Sequence, residues 1–309
     1  MTDKPVFYVA PMEGLTGYAW RKAHDEVFGG ADKYYTPFIV ANQTHFFKTR
    51  EIRDLSNNEP KLIPQLLTDK AEHFIWGAEE LKNMGFDEIN FNLGCPSKTV
   101  VPKGKGSAIL RDPDHLDRML DEIFSSRIAS ELKISVKTRI GFEYRSEWEK
   151  ILEVYNRYPI SELIIHARTR EEFYNGQADR DTFMDTMEWS SHKLVYNGDV
   201  YLPDDEAFTN GWNVMAGRGL LRDPALFRKA KGGPDATVKE LQKYHELLLG
   251  YYGEYMQGDQ PVIKHVKSMW VYFAELFDYD EKTLKELKKA RHMNEYMAAA
   301  NEILTGPRR

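Results

Sequence analysis

The sequence predicts an α/β chain: a closed (β/α)8, or TIM-type, barrel followed by a C-terminal helical domain. Three observations predict it. Eight short, mostly apolar segments recur between Val6 and Ala216, with helix-forming sequence between them. Polar residues and glycines stand at the C-terminal ends of those segments, where a barrel gathers its loops. The glycine-rich turn that a doubly wound open sheet carries after an early strand is missing, since Gly14 and Gly17 do not supply it.

Taken in order, strand one covers 6–10 and is stopped by Pro11; a loop, 12–17, leads into a helix over 18–27 with a Gly29-Gly30 stop. Strand two lies in 33–40 and should end at Pro37, which cannot donate to a ladder. Strand three is 61–67, with Thr68 as cap of a helix running to Met84. Strand four, 88–92, breaks at Gly94 into a long loop before a helix over 113–128. Strand five is 132–138, followed by a helix over 146–158. Strand six is 162–166, strand seven 192–197 with the turn Asn197-Gly198-Asp199, and strand eight 212–216 with Gly217-Arg218-Gly219. A last barrel helix covers 224–231. Gly232-Gly233-Pro234 then marks a boundary between a domain of residues 1–233 and one of 234–309, whose helices span 238–255, 261–276 and 281–304.

Composition bounds the function. Of 309 residues, 42% are hydrophobic and 29% charged, an ordinary water-soluble balance. No apolar run has membrane length, and the opening Met-Thr-Asp-Lys-Pro lacks the core of a leader peptide. A lone cysteine forms no internal disulfide, which fits a reducing cytoplasm. The nine histidines are dispersed, so no metal site is expected. The net charge of −6 excludes a uniformly basic surface. From Lys231 onward, however, twelve cations balance twelve carboxylates, so the acidic excess lies wholly earlier and a local polyanion patch belongs in the tail.

The candidate site follows from the strand ends. Met12 and Glu13 follow strand one, Gln65 lies in strand three, Asn92 and Cys95 follow four, and Lys137 and Arg139 follow five. His166 and Arg168 follow six, Asn197 and Asp199 seven, and Gly217 and Arg218 eight. Polar groups at barrel strand ends need partners, which a ligand can supply. Lys137 and His166 offer positive charge or donors to an anionic heteroaromatic ring, and Gln65 suits amide-like edges. Asn197-Gly198-Asp199 and Gly217-Arg218-Gly219 suit a phosphate. Together they imply a phosphate-bearing planar cofactor, for which flavin mononucleotide (FMN) is a good match. Cys95 sits in Asn90-Phe-Asn-Leu-Gly-Cys-Pro-Ser-Lys-Thr-Val100, followed by Lys103-Gly-Lys-Gly-Ser-Ala108. On its residues alone it is either a small buried hydrophobe or a reactive thiol.

Ala10-Pro-Met-Glu-Gly14, Asn92-Leu-Gly-Cys-Pro-Ser97, Val136-Lys-Thr-Arg-Ile-Gly141, His166-Ala-Arg-Thr169, Asn197-Gly-Asp199 and Gly217-Arg-Gly219, in this order, resemble the tRNA-dihydrouridine synthases of the bacterial type. The resemblance implies reduction of a D-loop uridine in tRNA, with FMN recharged by NADPH and no obligate protein partner. It assigns Pro11, Met12, Gln65, Lys137, His166, Asn197, Asp199, Gly217 and Arg218 to FMN. Hydride would pass to uracil C6, and Cys95 would donate the proton to C5, which requires its thiol to stay protonated. Asn92, Arg139 and Arg168 would meet the substrate. Lys103 and Lys105 would face RNA phosphates rather than Cys95, and Gly94, Gly104 and Gly106 would let the loop close. Thr36 departs from the glutamate common in that family, and Gly106-Ser107-Ala108 is a milder departure.

Lys285, Lys288, Lys289 and His292 follow one-face helical spacing in the tail, with Lys264 and Lys267 on the preceding helix, as expected for salt-dependent contact with tRNA phosphates. Two other readings remain at this level: an FMN barrel acting on a free pyrimidine or enone, and a non-catalytic tRNA-binding protein.

Overall fold

The computed structural model describes residues 4–55 and 61–309. The first residues of the opening that lacks a leader-like core lie outside them. Ten strand segments form one parallel sheet among the described residues: β1 (Phe7–Val9), β2 (Lys33–Tyr35), β3 (Ile39–Val40), β4 (Leu62–Ile63), β5 (Gln65–Leu67), β6 (Glu88–Leu93), β7 (Lys133–Arg139), β8 (Leu163–His166), β9 (Leu194–Asn197) and β10 (Val214–Ala216). They amount to eight barrel strands, because β2 and β3 are halves of one and β4 and β5 halves of the next. The order β3-β5-β6-β7-β8-β9-β10-β1-β2-β4 begins and ends on those two strands, so the barrel closes.

Proline causes both breaks. Pro37 and Pro64 have no N–H to give to a neighbour. Strand two does not end at Pro37, however: Thr36 accepts the Gln65 amide on its hydroxyl (3.0 Å), and the chain rejoins the sheet where Ile39 pairs with Leu66.

Side chains alternate in and out along each strand. On β6, Phe91 faces outward onto Phe74 (ring centroids 4.7 Å apart), while Asn90 and Asn92 bond groups across the interior. Register then places the inward groups beside one another: Asn92 pairs with Lys137, Arg139 with His166, and His166 with Asn197. Below them Tyr8, Tyr35, Ile63, Ile164, Val195 and Met215 fill the interior with apolar contacts. The N-terminal end is plugged by Glu162, which accepts from Tyr8 (2.7 Å), Lys33 (2.9 Å) and Lys193 (2.8 Å).

The connections carry α1 (Tyr18–Val27), α2 (Thr49–Asp54), α3 (Ala71–Asn83), α4 (Pro113–Ser125), α5 (Trp148–Tyr155), α6 (Arg180–Trp189) and α7 (Glu206–Thr209). Asp112 caps α4 by accepting the Asp114 and His115 amides, both at 3.1 Å. Thr68 does not cap α3. Its hydroxyl accepts the Lys70 amide (3.3 Å), and the helix starts one residue later, at Ala71. A short helix, α8 (Arg218–Arg222), precedes the one expected over 224–231, which is α9 (Leu226–Ala230).

Beyond them lie α10 (Val238–Gly253), α11 (Asp259–Phe273), α12 (Glu281–Lys289) and α13 (Met293–Thr305). A Thr237–Glu240 capping box starts α10, which packs on α1. The tail has its own buried centre, where the Trp270 indole donates to the Tyr296 hydroxyl (2.9 Å) and His245 lies 2.6 Å from the same oxygen. The single helix expected over 281–304 is broken after Lys289. Glu295 accepts the Arg291 and His292 amides at 3.0 and 3.4 Å and so starts a new helix. His292 therefore does not share a helix face with Lys285, Lys288 and Lys289.

Candidate active site

The C-terminal ends of β1, β7, β8, β9 and β10 surround a cavity of about 510 Å3. It brings together Met12, Lys137, His166, Asn197, Asp199, Gly217 and Arg218, which stand at the strand ends, and Pro11, which the resemblance assigns. The Lys137 ammonium donates to Asn197 Oδ1 (2.9 Å), and Asn197 Nδ2 donates to the Met215 carbonyl (2.7 Å), so the amide orientation is fixed at both ends. Asp199 accepts from Arg218 (2.8 Å), from the Ala178 amide (3.2 Å) and from Arg168.

Arg168 is buried behind this cluster rather than exposed to a substrate. It also donates to the carbonyls of Asn175 (3.1 Å) and Gly176 (2.6 Å), and its fourth contact is His166 Nε2 at 3.3 Å. Because a guanidinium has no acceptor, Nε2 must accept, and the imidazole proton sits on Nδ1.

Cations set the electrostatics. Burial, and then the neighbouring Arg139, lower the Lys137 ammonium to about 7. Burial and the charges of Arg139, Lys137, Arg168 and Arg218 hold His166 well below its usual range, hence neutral. Such a site favours an anion.

Gln65, Asn92 and Cys95 form a second cluster on the other side of the mouth. Asn92 Nδ2 donates to Gln65 Oε1 (2.7 Å), and Gln65 Nε2 donates on to Asn90 Oδ1 (2.7 Å). Asn92 Oδ1 accepts the amides of Gly94 (3.2 Å) and Cys95 (2.9 Å), folding the turn that presents the thiol. Burial pushes the Cys95 thiol up, partly offset by a hydrogen bond from the Ser97 backbone and by the charges of Arg139 and Lys137. The thiol is therefore protonated at neutral pH.

Arg139 is also buried. It donates to the Gly94 carbonyl (3.0 Å) and the Thr169 carbonyl (2.7 Å), which ties the cysteine loop to the loop after β8. The cysteine loop itself is folded. Two short 3-10 turns, Val101–Lys103 and Gly106–Arg111, follow the cysteine, and Ser107 donates its amide (3.2 Å) and hydroxyl (2.9 Å) to the Cys95 carbonyl. Gly106 has φ +61°, and a Cβ there would lie 2.8 Å from that carbonyl, so this glycine serves close packing. Lys103 is exposed, whereas Lys105 is mostly buried and pairs with Asp69 (3.5 Å). Neither is among the groups that bear on Cys95.

Tyr174 was not marked by any strand-end pattern. It lines the cavity with its ring 5.9 Å from His166, and the guanidinium carbons of Arg218 and Arg139 lie 4.8 and 5.5 Å from it. Only the fold of a non-local loop brings it there.

In the tail, Lys264, Lys288 and Lys289 are exposed, and Lys285 pairs with Glu281 (3.6 Å). Lys267 is a correction to the tail reading. It donates to the carbonyls of Lys288 (3.1 Å) and Ala290, closing the end of α12.

The sequence matches the dihydrouridine synthase (Dus) family over residues 8–305. The chain belongs to that family. As a member of the dihydrouridine synthase family it is an enzyme of a flavin-dependent oxidoreductase class. It is similar to a probable tRNA-dihydrouridine synthase of Staphylococcus epidermidis, 29% identical over 97% of this chain and 93% of the relative. One from Staphylococcus aureus is 30% identical over 87% and 83%, and a probable tRNA-dihydrouridine synthase 2 of Bacillus subtilis 28% identical over 83% and 81%. A solved variant of NCR from Zymomonas mobilis shares the fold alone, with a TM-score of 0.50 and 10% identity over 77% of this chain and 90% of that one.

The donor set of this dihydrouridine synthase family chain fits a flavin phosphate. Lys137 and Arg218 supply charge, and the Gly198 and Gly217–Gly219 backbones approach without side chains. At Gly217 a Cβ would come within 2.9 Å of the Met12 sulfur. No group of three or more potential ligands that could hold a metal ion occurs among the described residues, nor is any helix there long and apolar enough to cross a membrane.

Proposed function

We propose that this protein reduces a D-loop uridine of tRNA to 5,6-dihydrouridine, holding FMN in the barrel mouth and drawing on NADPH. The observation that carries the reading is a protonated thiol, Cys95, fixed by Asn92 beside a cation-rich cavity that suits a phosphate-bearing ring. Reduced FMN, when bound, supplies a hydride for C6 of uracil.

The remaining work belongs to the chain. Lys137 and neutral His166 face the ring, Arg218 with the Gly217–Gly219 backbone meets the phosphate, and Asp199 balances Arg218 and Arg168. Cys95 gives its proton to C5, so that hydride and proton together saturate the C5–C6 bond. Burial keeps that proton on sulfur until the base arrives. Arg139 holds the cysteine loop against the loop after β8, and Tyr174 covers the mouth and excludes water. Residues 1–233 form the catalytic unit and 234–309 meet the rest of the tRNA, in the cytoplasm and without an obligate protein partner.

The test mixes anaerobically reduced protein with an unmodified tRNA transcript and follows flavin reoxidation and dihydrouridine by position. One D-loop product, and a fall of roughly 10²–10⁴ in rate for Cys95→Ala with flavin content intact, is expected. Reoxidation by a free pyrimidine but not by tRNA overturns the reading.

A further inference from the structure

Where the tail meets the barrel, α2 and the loop after β1 face the end of α10 and the start of α11 across a cleft of about 740 Å3. Planar groups are concentrated there. The Arg53 guanidinium lies 4.1 Å from the Tyr255 ring centroid, and Tyr252 stands 5.9 Å from Tyr255 and 5.4 Å from His265. Among the described residues Arg53 has no carboxylate partner, whereas Arg50, on the same helix, is held by Glu13 (2.7 Å). Glu13 adjoins Met12, which lines the catalytic cavity, so the cleft opens beside the active-site mouth.

His265 also lines a second cleft, of about 1250 Å3, together with Lys264, Lys288 and Arg291. Those three cations carry no ion pair among the described residues. His265 lines both clefts, so the outer one lies next to the inner one along α11. Guanidinium and aromatic planes are the surfaces on which unstacked RNA bases rest, and free cations are the partners of phosphates.

We infer that the Arg53–Tyr255 cleft holds one unstacked nucleotide of the tRNA, distinct from the uridine being reduced. Its backbone continues past His265 toward Lys264 and Lys288. The inference rests on tRNA being the substrate. It also supplies an energetic role: extruding a uridine from the folded RNA breaks stacking, and a second captured base offsets part of that loss.

The experiment measures affinity for an unmodified tRNA transcript by fluorescence anisotropy at fixed salt, with an RNA duplex of equal length as control. Tyr255→Ala is expected to weaken tRNA binding on the order of tenfold and leave duplex binding unchanged, while Tyr255→Phe stays near wild type. His265→Ala, at an exposed position, is expected to weaken tRNA binding about threefold and guards against misfolding of the first variant. Unchanged tRNA affinity in Tyr255→Ala, or equal loss in Tyr255→Phe, overturns the inference. Unchanged tRNA affinity with a raised KM for NADPH assigns the cleft to the dinucleotide instead. If the wild type prefers tRNA no more than duplex, the substrate reading itself fails, and the inference with it.

Discussion

Asn92 holds Cys95 in place: its Oδ1 accepts the Cys95 amide at 2.9 Å while its Nδ2 donates to Gln65 at 2.7 Å. The side chain is thus a hinge pin between strand and loop, more than a direct reader of the base. Asn92→Ala should lower kcat by roughly 10–100-fold, because a misplaced acid costs geometry before it costs binding. It should also reduce stability by about 1–3 kcal/mol, since Gln65 Oε1 is left buried without a donor. Stopped-flow reoxidation and urea unfolding of the variant check both; unchanged kcat would return Asn92 to the base-reading role.

The cavity should bind its anionic cofactor more weakly as pH rises. Lys137 titrates near 7 in the free protein, and an anion prefers its protonated form. Binding therefore takes up a proton, and the Kd for FMN should increase between pH 6.5 and 8.5, by up to about tenfold per unit once Lys137 is deprotonated. His166 is neutral throughout and adds no slope. Titration calorimetry across that range should show the trend in the wild type and a flat profile in Lys137→Met.

Much of this site could be read from the sequence because it is local in the right sense. Lys137, His166 and Asn197 lie at inward positions at the ends of successive strands, so alternation and strand order alone bring them together. What could not be read depends on groups distant in the chain. Lys267 looked like a surface cation until the carbonyls of Lys288 and Ala290 closed on it. Arg168 looked like a substrate contact because nothing local announces Asn175, Gly176 and Asp199 as its partners. Tyr174 lies on an irregular loop whose path no periodicity encodes, and Pro64 hid the second strand break within an apolar run.

Acid should unfold the protein in two stages. Burial lowers His24 and His245 to about 4, from an ordinary value near 6.5. Between those values the unfolded chain takes up protons that the fold refuses, so stability is full above pH 6.5 and falls as pH drops toward 4, by about 2–3 kcal/mol for each histidine. Glu162 adds a later stage. Burial alone would raise its carboxyl, but Lys33, Lys193 and Tyr8 outweigh this and hold it below the usual range, so its contribution fades only below about pH 4.5. Urea midpoints from pH 7.5 to 3.5 should decline from about 6.5 downward; a profile flat to pH 5 would exclude the histidine stage.

Two tail lysines on neighbouring helices, Lys267 on α11 and Lys288 on α12, should behave in opposite ways. Lys288 is exposed and lines the outer cleft, so Lys288→Ala should leave unfolding unchanged and lower the slope of log affinity for tRNA against log salt by about 0.7–1, the loss of one phosphate contact. Lys267 spends its ammonium on the end of α12, and burial lowers it. Lys267→Ala should therefore destabilise the protein by about 1 kcal/mol while leaving the salt slope intact. The outcomes are separable because phosphate contacts release counterions and carbonyl contacts do not. Equal salt-slope losses in both variants would mean that Lys267 leaves its carbonyls for the RNA.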